Sequence, residues 1–249
     1  MADPMTAARF LRALRDEGLT VVETDGWRTH SRNQVGPWGP VHGVLMHHTV
    51  TKGTANSVRI CRDGFAGLPG PLCHGVISKD GRVHLVGYGR TNHAGSGDDD
   101  VLRAVIAEKS LPSANEANTD GNRHFYGFEC VNLGDGKDPW PAVQVEAMEA
   151  AAAAVCRVHD WNPPSVIGHL EWQPGKIDPR GVSMAGLRRR IGERLDPEPE
   201  PYKVKPGDNL WSIAAKLLGD SARWGEISRL NQLPSTHITP GQELKIPKK

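Results

Sequence analysis

The sequence predicts an α/β (α+β) fold, a central β-sheet flanked by helices, followed by a small βααβ module. Three observations predict it. Two apolar runs, V-H-G-V-L-M-H-H-T-V at 41–50 and F-Y-G-F-E-C-V-N at 125–132, have the length and composition of buried strands. An alanine-rich amphipathic stretch at 142–161 separates the second run from another apolar stub at 165–167. An acidic proline run, D-P-E-P-E-P at 196–201, divides this part from a tail of different charge. Residues 202–249 carry eight lysines and arginines against four acidic residues, whereas 1–195 balance.

Composition sets the bounds. A chain of 249 residues is long enough for a full core and a small second domain. The formal net charge of +1 points to neither nucleic acid nor an anionic membrane. Four cysteines in this length do not make a disulfide framework. No apolar run approaches a membrane span, so no membrane insertion is expected. The N-terminal stretch lacks an uninterrupted apolar h-region. The expectation is a soluble monomer made in the cytosol, which would need another exit route for any work outside the cell.

In order along the chain, residues 6–17 place Phe10, Leu11 and Leu14 at helical spacing, with Gly18 as the stop. Val21 and Val22 suit a short edge strand, and 26–40 reads as loop. In the strand at 41–50, alternation puts Leu45 and His47 on one face and Met46 and His48 on the other. Only one histidine of that pair faces a given site. Residues 74–78 and 82–86 flank a Lys79-Asp80-Gly81 hairpin turn. Residues 91–97 form a polar, glycine-rich loop, and Asp98–Asp100 read as a solvated acidic cap on a short helix. In the strand at 125–132, Phe128 and Cys130 point one way and Gly127, Glu129 and Val131 the other. The helix at 142–161 starts after Pro141 and stops at Asn162-Pro163-Pro164. A last helix spans 183–195, its Arg188–Arg190 run taken as a solvated face. Cys61 and Cys73 lie close enough to bridge a Gly/Pro-rich loop, and any such bond is expected to be dispensable. Cys130 and Cys156 should be free.

The chemistry gathers around I-G-H-L-E-W-Q-P-G-K-I-D-P-R at 167–180. His169 stands at a strand end, and Asp178 follows a short loop later. His47 stands at another strand end. Two imidazoles and one carboxylate suit zinc, with a fourth position open for water. A glutamate inside an apolar strand needs a reason, so Glu129 is a candidate base or, on the plainer reading, an ion-pair partner. Lys176 could supply a donor to an oxyanion.

Taken together, V-L-M-H-H-T, N-H-A-G, Y-G-F-E and G-H-x-E-W-x-P-G-K-x-D-P resemble the zinc-dependent N-acetylmuramoyl-L-alanine amidases, the type-2 amidase and peptidoglycan recognition protein family, over about residues 41–180. The resemblance implies a central mixed sheet and an amidase domain at 1–195. It implies Zn2+ on His47, His169 and Asp178, with Glu129 and Lys176 catalytic. It also implies substrate-side roles for His93 and for His74 of the hairpin strand. Where relatives often carry a tyrosine, this chain has Cys73, which favours Glu129 as base.

Residues 202–249 resemble a LysM module, through Y-x-V-x-x-G-D-N-L-W-S-I-A, L-N-Q-L and I-T-P-G-Q-E-L-K-I-P. The resemblance implies binding of N-acetylglucosamine-containing glycan in a groove that includes Gly207, Asp208, Asn231 and Leu233. An amidase joined to a wall-binding module reads as a phage endolysin that acts on bacterial peptidoglycan after holin-type release. An autolysin or prophage enzyme of the same chemistry, a stem-peptide zinc peptidase and a non-catalytic peptidoglycan-binding protein are the alternatives.

Overall fold

The computed structural model describes residues 2–196 and 199–248. Its contacts divide the chain into two compact units, 1–195 and 196–249.

The first unit is built on a six-stranded sheet. Its strands are β1 (Val21–Glu23), β2 (Gly43–His48), β3 (Gly75–Ile77), β4 (Val83–Leu85), β5 (Phe125–Cys130) and β6 (Val166–Gly168). The spatial order is β1-β4-β3-β5-β2-β6. Only the β3–β4 hairpin is antiparallel, so the sheet is mixed. β2 and β5 are buried along almost their whole length, which is why they read as apolar runs rather than alternating ones.

Helices α1 (Ala7–Asp16) and α4 (Ala142–His159) pack over one face of the sheet, with α6 (Met184–Leu195) beside α4. Thr6 caps α1 by accepting the Arg9 N–H. Phe10 lies at the centre of this layer, its ring against those of Tyr88, Tyr126 and Phe128. The alanine run of α4, fully buried from Ala150 to Cys156, lets that helix approach the sheet closely. The other face carries α3 (Asp99–Ile106) and the short α5 (His169–Trp172) around Leu45, Phe125, Ile167 and Trp172. Met46 and Leu45 thus fall in different core layers, as the alternation along β2 requires.

Residues 54–63 form α2 (Thr54–Asp63), a helix without a sequence signal, and two expectations need correction. Only Ser57 and Cys61 of this helix are buried, so it carries almost no apolar stripe to read. Asp98 is not a solvated cap. It is 1% exposed, and its carboxylate accepts the N–H groups of Asp100, Val101, Asn115 and Glu116. Nor is 188–190 simply a solvated face. Arg188 forms a two-pronged pair with Glu171 (both 2.8 Å), and Arg190 pairs with the buried Glu149. All four cysteines are free and buried, Cys61 and Cys73 in one small cluster.

In the second unit β7 (Glu200–Lys203) pairs antiparallel with β8 (Glu243–Ile246), and α7 (Leu210–Leu218) and α8 (Trp224–Leu230) complete a βααβ module. Asn209 and Ser212 form a capping box on α7, and Gly219 ends it at φ +79°. Its core holds Val204, Leu210, Ile213, Ile227 and Leu244. Glu200 and Pro201, expected in the linker, belong to β7. Pro197 and Glu198 of the expected linker lie outside the described residues. No helix among the described residues is long and apolar enough to cross a membrane.

Candidate active site

The register of the sheet assembles the site. β5, β2 and β6 are adjacent and parallel, and His47 pairs in register with Glu129. Gly168 pairs with Met46, so the next residue, His169, leaves β6 level with His47. Three chemistry-bearing side chains therefore stand in one row at the carboxyl ends of parallel strands, where open α/β sheets build their crevices.

Asp178 is returned to this row by its loop. Its carbonyl accepts the Leu170 N–H (2.8 Å). Two residues on, the Arg180 N–H donates to His48 Nδ1 (3.0 Å). The two neighbouring histidines thus do different work, since His47 enters the site while His48, on the opposite face, pins the loop that carries Asp178. The loop around His169 is braced as well. Glu171 accepts the Gly168 N–H (3.0 Å) and the Arg188 pair, and buried Trp172 donates Nε1–H to Ala94 O (2.9 Å), joining this turn to the N-H-A-G loop. Sequence reading placed none of His48, Glu171, Trp172 or Arg188 in these supporting roles.

His47 Nδ1, His169 Nδ1 and Asp178 Oδ2 converge. The two nitrogens are 3.1 Å apart, and each lies 3.0 Å from the carboxylate oxygen. This group could hold a metal ion. Burial holds the His47 imidazole down to about 4, against the opposing pull of Asp178. Burial alone would raise the Asp178 carboxyl, but hydrogen bonding to His169 and His47 overrides it and keeps the group well below the usual carboxylate range. At neutral pH the His47 imidazole is therefore neutral and the Asp178 carboxyl ionised.

Glu129 is half-buried, and its Oε2 is shielded from solvent with no hydrogen-bond partner among the described residues. Burial, then the nearby Cys61 and Asp178, push its carboxyl well above the ordinary range, with Lys176 acting in the opposite sense. The ion-pair reading of this residue has no salt bridge behind it among the described residues. Glu129 and Lys176 both line a cleft of about 630 Å³ that opens over the three converging groups. Cys61 also reaches this cleft, while burial, followed by hydrogen bonding to Cys61, raises the Cys73 thiol well above its ordinary value.

The two histidines expected on the substrate side stand differently in the fold. His74 is fully buried, and both its ring nitrogens are engaged by backbone: Nδ1 accepts the Gly127 N–H and Nε2 donates to Gly89 O (2.9 Å each). It braces β3 against β5 and does not reach the cleft. His93 borders the cleft, but its Nδ1 lies 3.0 Å from His47 Nε2 and its Nε2 lies 3.2 Å from Phe125 O. Its ring lies against Gly127, where an added Cβ would come within 2.4 Å of Nδ1. That contact explains the glycine in Y-G-F-E. Burial, then the neighbouring His47, hold His93 well below the usual histidine range.

In the second unit, Gly207 sits at φ +87° in the β7–α7 turn. Asp208 and Asn231, expected to face glycan, are engaged inside the module. Asp208 Oδ2 accepts from Tyr202 Oη (2.7 Å) and the Lys205 N–H (2.8 Å). Asn231 donates to Ile227 O and Lys245 O and accepts the Lys245 N–H. Leu233 packs partly against the core.

The family model for N-acetylmuramoyl-L-alanine amidase matches residues 37–181. The chain belongs to this family. A LysM domain matches residues 202–247. Among curated proteins, the uncharacterized protein YqbP of Bacillus subtilis (strain 168) is 41% identical over 61 residues, covering 20% of this chain and 28% of that protein. Among solved structures, the endolysin N-acetylmuramoyl-L-alanine amidase LysCS from Clostridium intestinale URNW is 16% identical, covering 69% of this chain and 95% of that one at a TM-score of 0.46. AmpDh3 of Pseudomonas aeruginosa, solved with an anhydromuramic pentapeptide, is 18% identical, covering 84% and 79% at a TM-score of 0.46. The assignment to the family rests on the match over 37–181, which contains His47, Glu129, His169, Lys176 and Asp178.

Proposed function

We propose that the protein is a zinc amidase that hydrolyses the amide between N-acetylmuramic acid and L-alanine in bacterial peptidoglycan. The observation that carries the metal assignment is the triangle of His47 Nδ1, His169 Nδ1 and Asp178 Oδ2, with sides of 3.0–3.1 Å. Tetrahedral bonds of about 2.0–2.1 Å put ligand atoms about 3.3 Å apart, so two nitrogens and an oxygen at this spacing fit zinc with little adjustment. Bound there, zinc would act as a Lewis acid toward the scissile carbonyl and acidify water. Glu129 accepts the proton of the attacking water and returns it to the leaving amine. Its unpartnered Oε2 beside the donor triangle suits that task. Lys176, which also lines the cleft, stabilises the oxyanion that forms on the muramoyl carbonyl.

Residues 196–249 tether this chemistry to wall glycan containing N-acetylglucosamine, raising the effective substrate concentration. With Asp208 and Asn231 engaged internally, the glycan is read by backbone groups of the Gly207 turn and of the segment around Leu233. In this reading the chain works as a monomeric lysin of phage type, reaching the wall after holin-type opening of the membrane.

Mass analysis of fragments released from purified cell walls tests the reaction. The amidase reading expects muramic acid freed of peptide and intact peptides beginning with L-alanine. Cut stem peptides would instead mean an endopeptidase, and no release a binding protein. Deleting 196–249 should slow lysis of whole walls while leaving hydrolysis of a small soluble muropeptide nearly unchanged, and equal loss on both would contradict the tether.

A further inference from the structure

The proton order within the histidine cluster is determined by one backbone carbonyl. His93 Nε2 lies 3.2 Å from Phe125 O, and a carbonyl only accepts, so Nε2 carries the proton. In the neutral ring Nδ1 is then bare and acts as an acceptor. His47 Nε2, 3.0 Å away, must donate to it. The proton of His47 is thereby held on Nε2, and its Nδ1 lone pair is left pointing at His169 and Asp178. The second imidazole repeats the pattern, with His169 Nε2 donating to Gln173 Oε1 at 3.1 Å and its Nδ1 bare toward Asp178. With both rings in their neutral form, three lone pairs thus meet within 3.0–3.1 Å. Such a knot is repulsive until a cation enters it.

His93 is itself firmly placed. Its backbone N–H and that of Ala94 both donate to Asn122 Oδ1 (2.8 Å each), and Gly127 leaves room for its ring. Gln173 stands four residues after His169, one turn along the same segment.

We propose that His93 and Gln173 are positioning residues, the acceptors that lock His47 and His169 as Nδ1 ligands for the metal. This rests on the ligand assignment made above and adds the groups that prepare it. Outer hydrogen-bond partners of ligating histidines typically contribute 10- to 100-fold in metal affinity, by fixing the tautomer and ring orientation. His93 should stand at the upper end, because it is buried and sits in a chain anchored on Phe125 O.

The test is zinc affinity, measured by competition with a chromophoric chelator, on the full chain and its variants. His93→Phe keeps the ring volume and removes the acceptor. His93→Asn is smaller but places Oδ1 where Nδ1 stood. The expected order is wild type, then His93→Asn within a few-fold, then His93→Phe weakened roughly 10- to 100-fold. A packing role alone would reverse the two variants, because the phenylalanine fills the space better. His93→Phe within twofold of wild type, or His93→Asn weaker than His93→Phe, overturns the proposal. Gln173→Leu should weaken zinc by a smaller factor than His93→Phe, and no change there removes Gln173 from it. Wild type that takes up no zinc, or His47→Ala that keeps it, would instead break the ligand assignment itself. A readout independent of mutation is the 1H–15N imidazole spectrum of the metal-free protein. His47 should show the Nε2–H tautomer, and an Nδ1–H His47 overturns the proposal.

Discussion

The two recognisable parts of the chain treat their polar side chains in opposite ways. In the amidase domain the fold satisfies one nitrogen of His47 and one of His169 and leaves the other bare, aimed at Asp178. It also leaves Glu129 Oε2 without a partner among the described residues. In the LysM module the polar groups of the recognised motif are engaged inside the module: Asp208 closes its own turn, and Asn231 laces α8 to β8. A motif residue belongs to a site only if the fold leaves it hydrogen-bonding or ligating capacity. A motif residue whose capacity is used internally is there to shape the loop.

The largest expected effect that would break this comparison falls on Glu129. Glu129→Gln keeps size and hydrogen bonding but accepts no proton, so turnover on soluble muropeptide should fall roughly a hundredfold or more while zinc content stays whole. Near-normal turnover would make the unpartnered carboxylate a structural feature, like Asp208. Lys176→Ala should lower turnover too and also spare the metal, since its proposed role is toward the oxyanion.

A smaller effect is expected at Asn231, and of a different kind. Asn231→Ala removes two donated bonds and one accepted bond at a half-buried position and should cost the isolated module about 1–2 kcal/mol of stability. Glycan affinity, measured by calorimetry well below the melting temperature, should hardly change. Lost binding at unchanged melting temperature would make Asn231 a contact after all.

Asp98 sharpens the same comparison through pH. The Asn115 N–H, with those of Asp100, Glu116 and Val101 and against the cost of burial, holds its carboxyl below the ordinary 3.8. A lowered folded-state value means that the ionised group stabilises the fold above about pH 4, and that this stability disappears as pH falls through the lowered value. Asp98→Ala should cost about 1–2 kcal/mol at neutral pH, the usual scale of a lost helix cap. The deficit should shrink in thermal melts below pH 4, and a deficit independent of pH would mean that the charge is immaterial.

Much of this is legible in the sequence. The strands at 41–50 and 125–132 were visible as apolar runs because both faces of β2 and β5 are covered. His47, Glu129 and His169 could be picked out because each interrupts or ends such a run, and the sheet then places them in one row. The helix at Thr54–Asp63 was illegible because it buries so little. The roles of His74 and His93 were illegible for another reason. Whether a ring nitrogen is free depends on which carbonyl or amide lies beside it, and Gly89 O, the Gly127 N–H and Phe125 O are brought there only by tertiary packing. One signal was present, the His169–Gln173 spacing of four, which puts an acceptor one turn from a ligand.

The central claim is that His47, His169 and Asp178 hold one zinc ion on which the activity depends. Elemental analysis of the purified protein beside His47→Ala, His169→Ala and Asp178→Ala, paired with muropeptide hydrolysis, tests it most directly. One zinc per chain is expected in the wild type, with metal and activity lost together in each variant. Full zinc and full turnover in any one of the three would contradict the assignment.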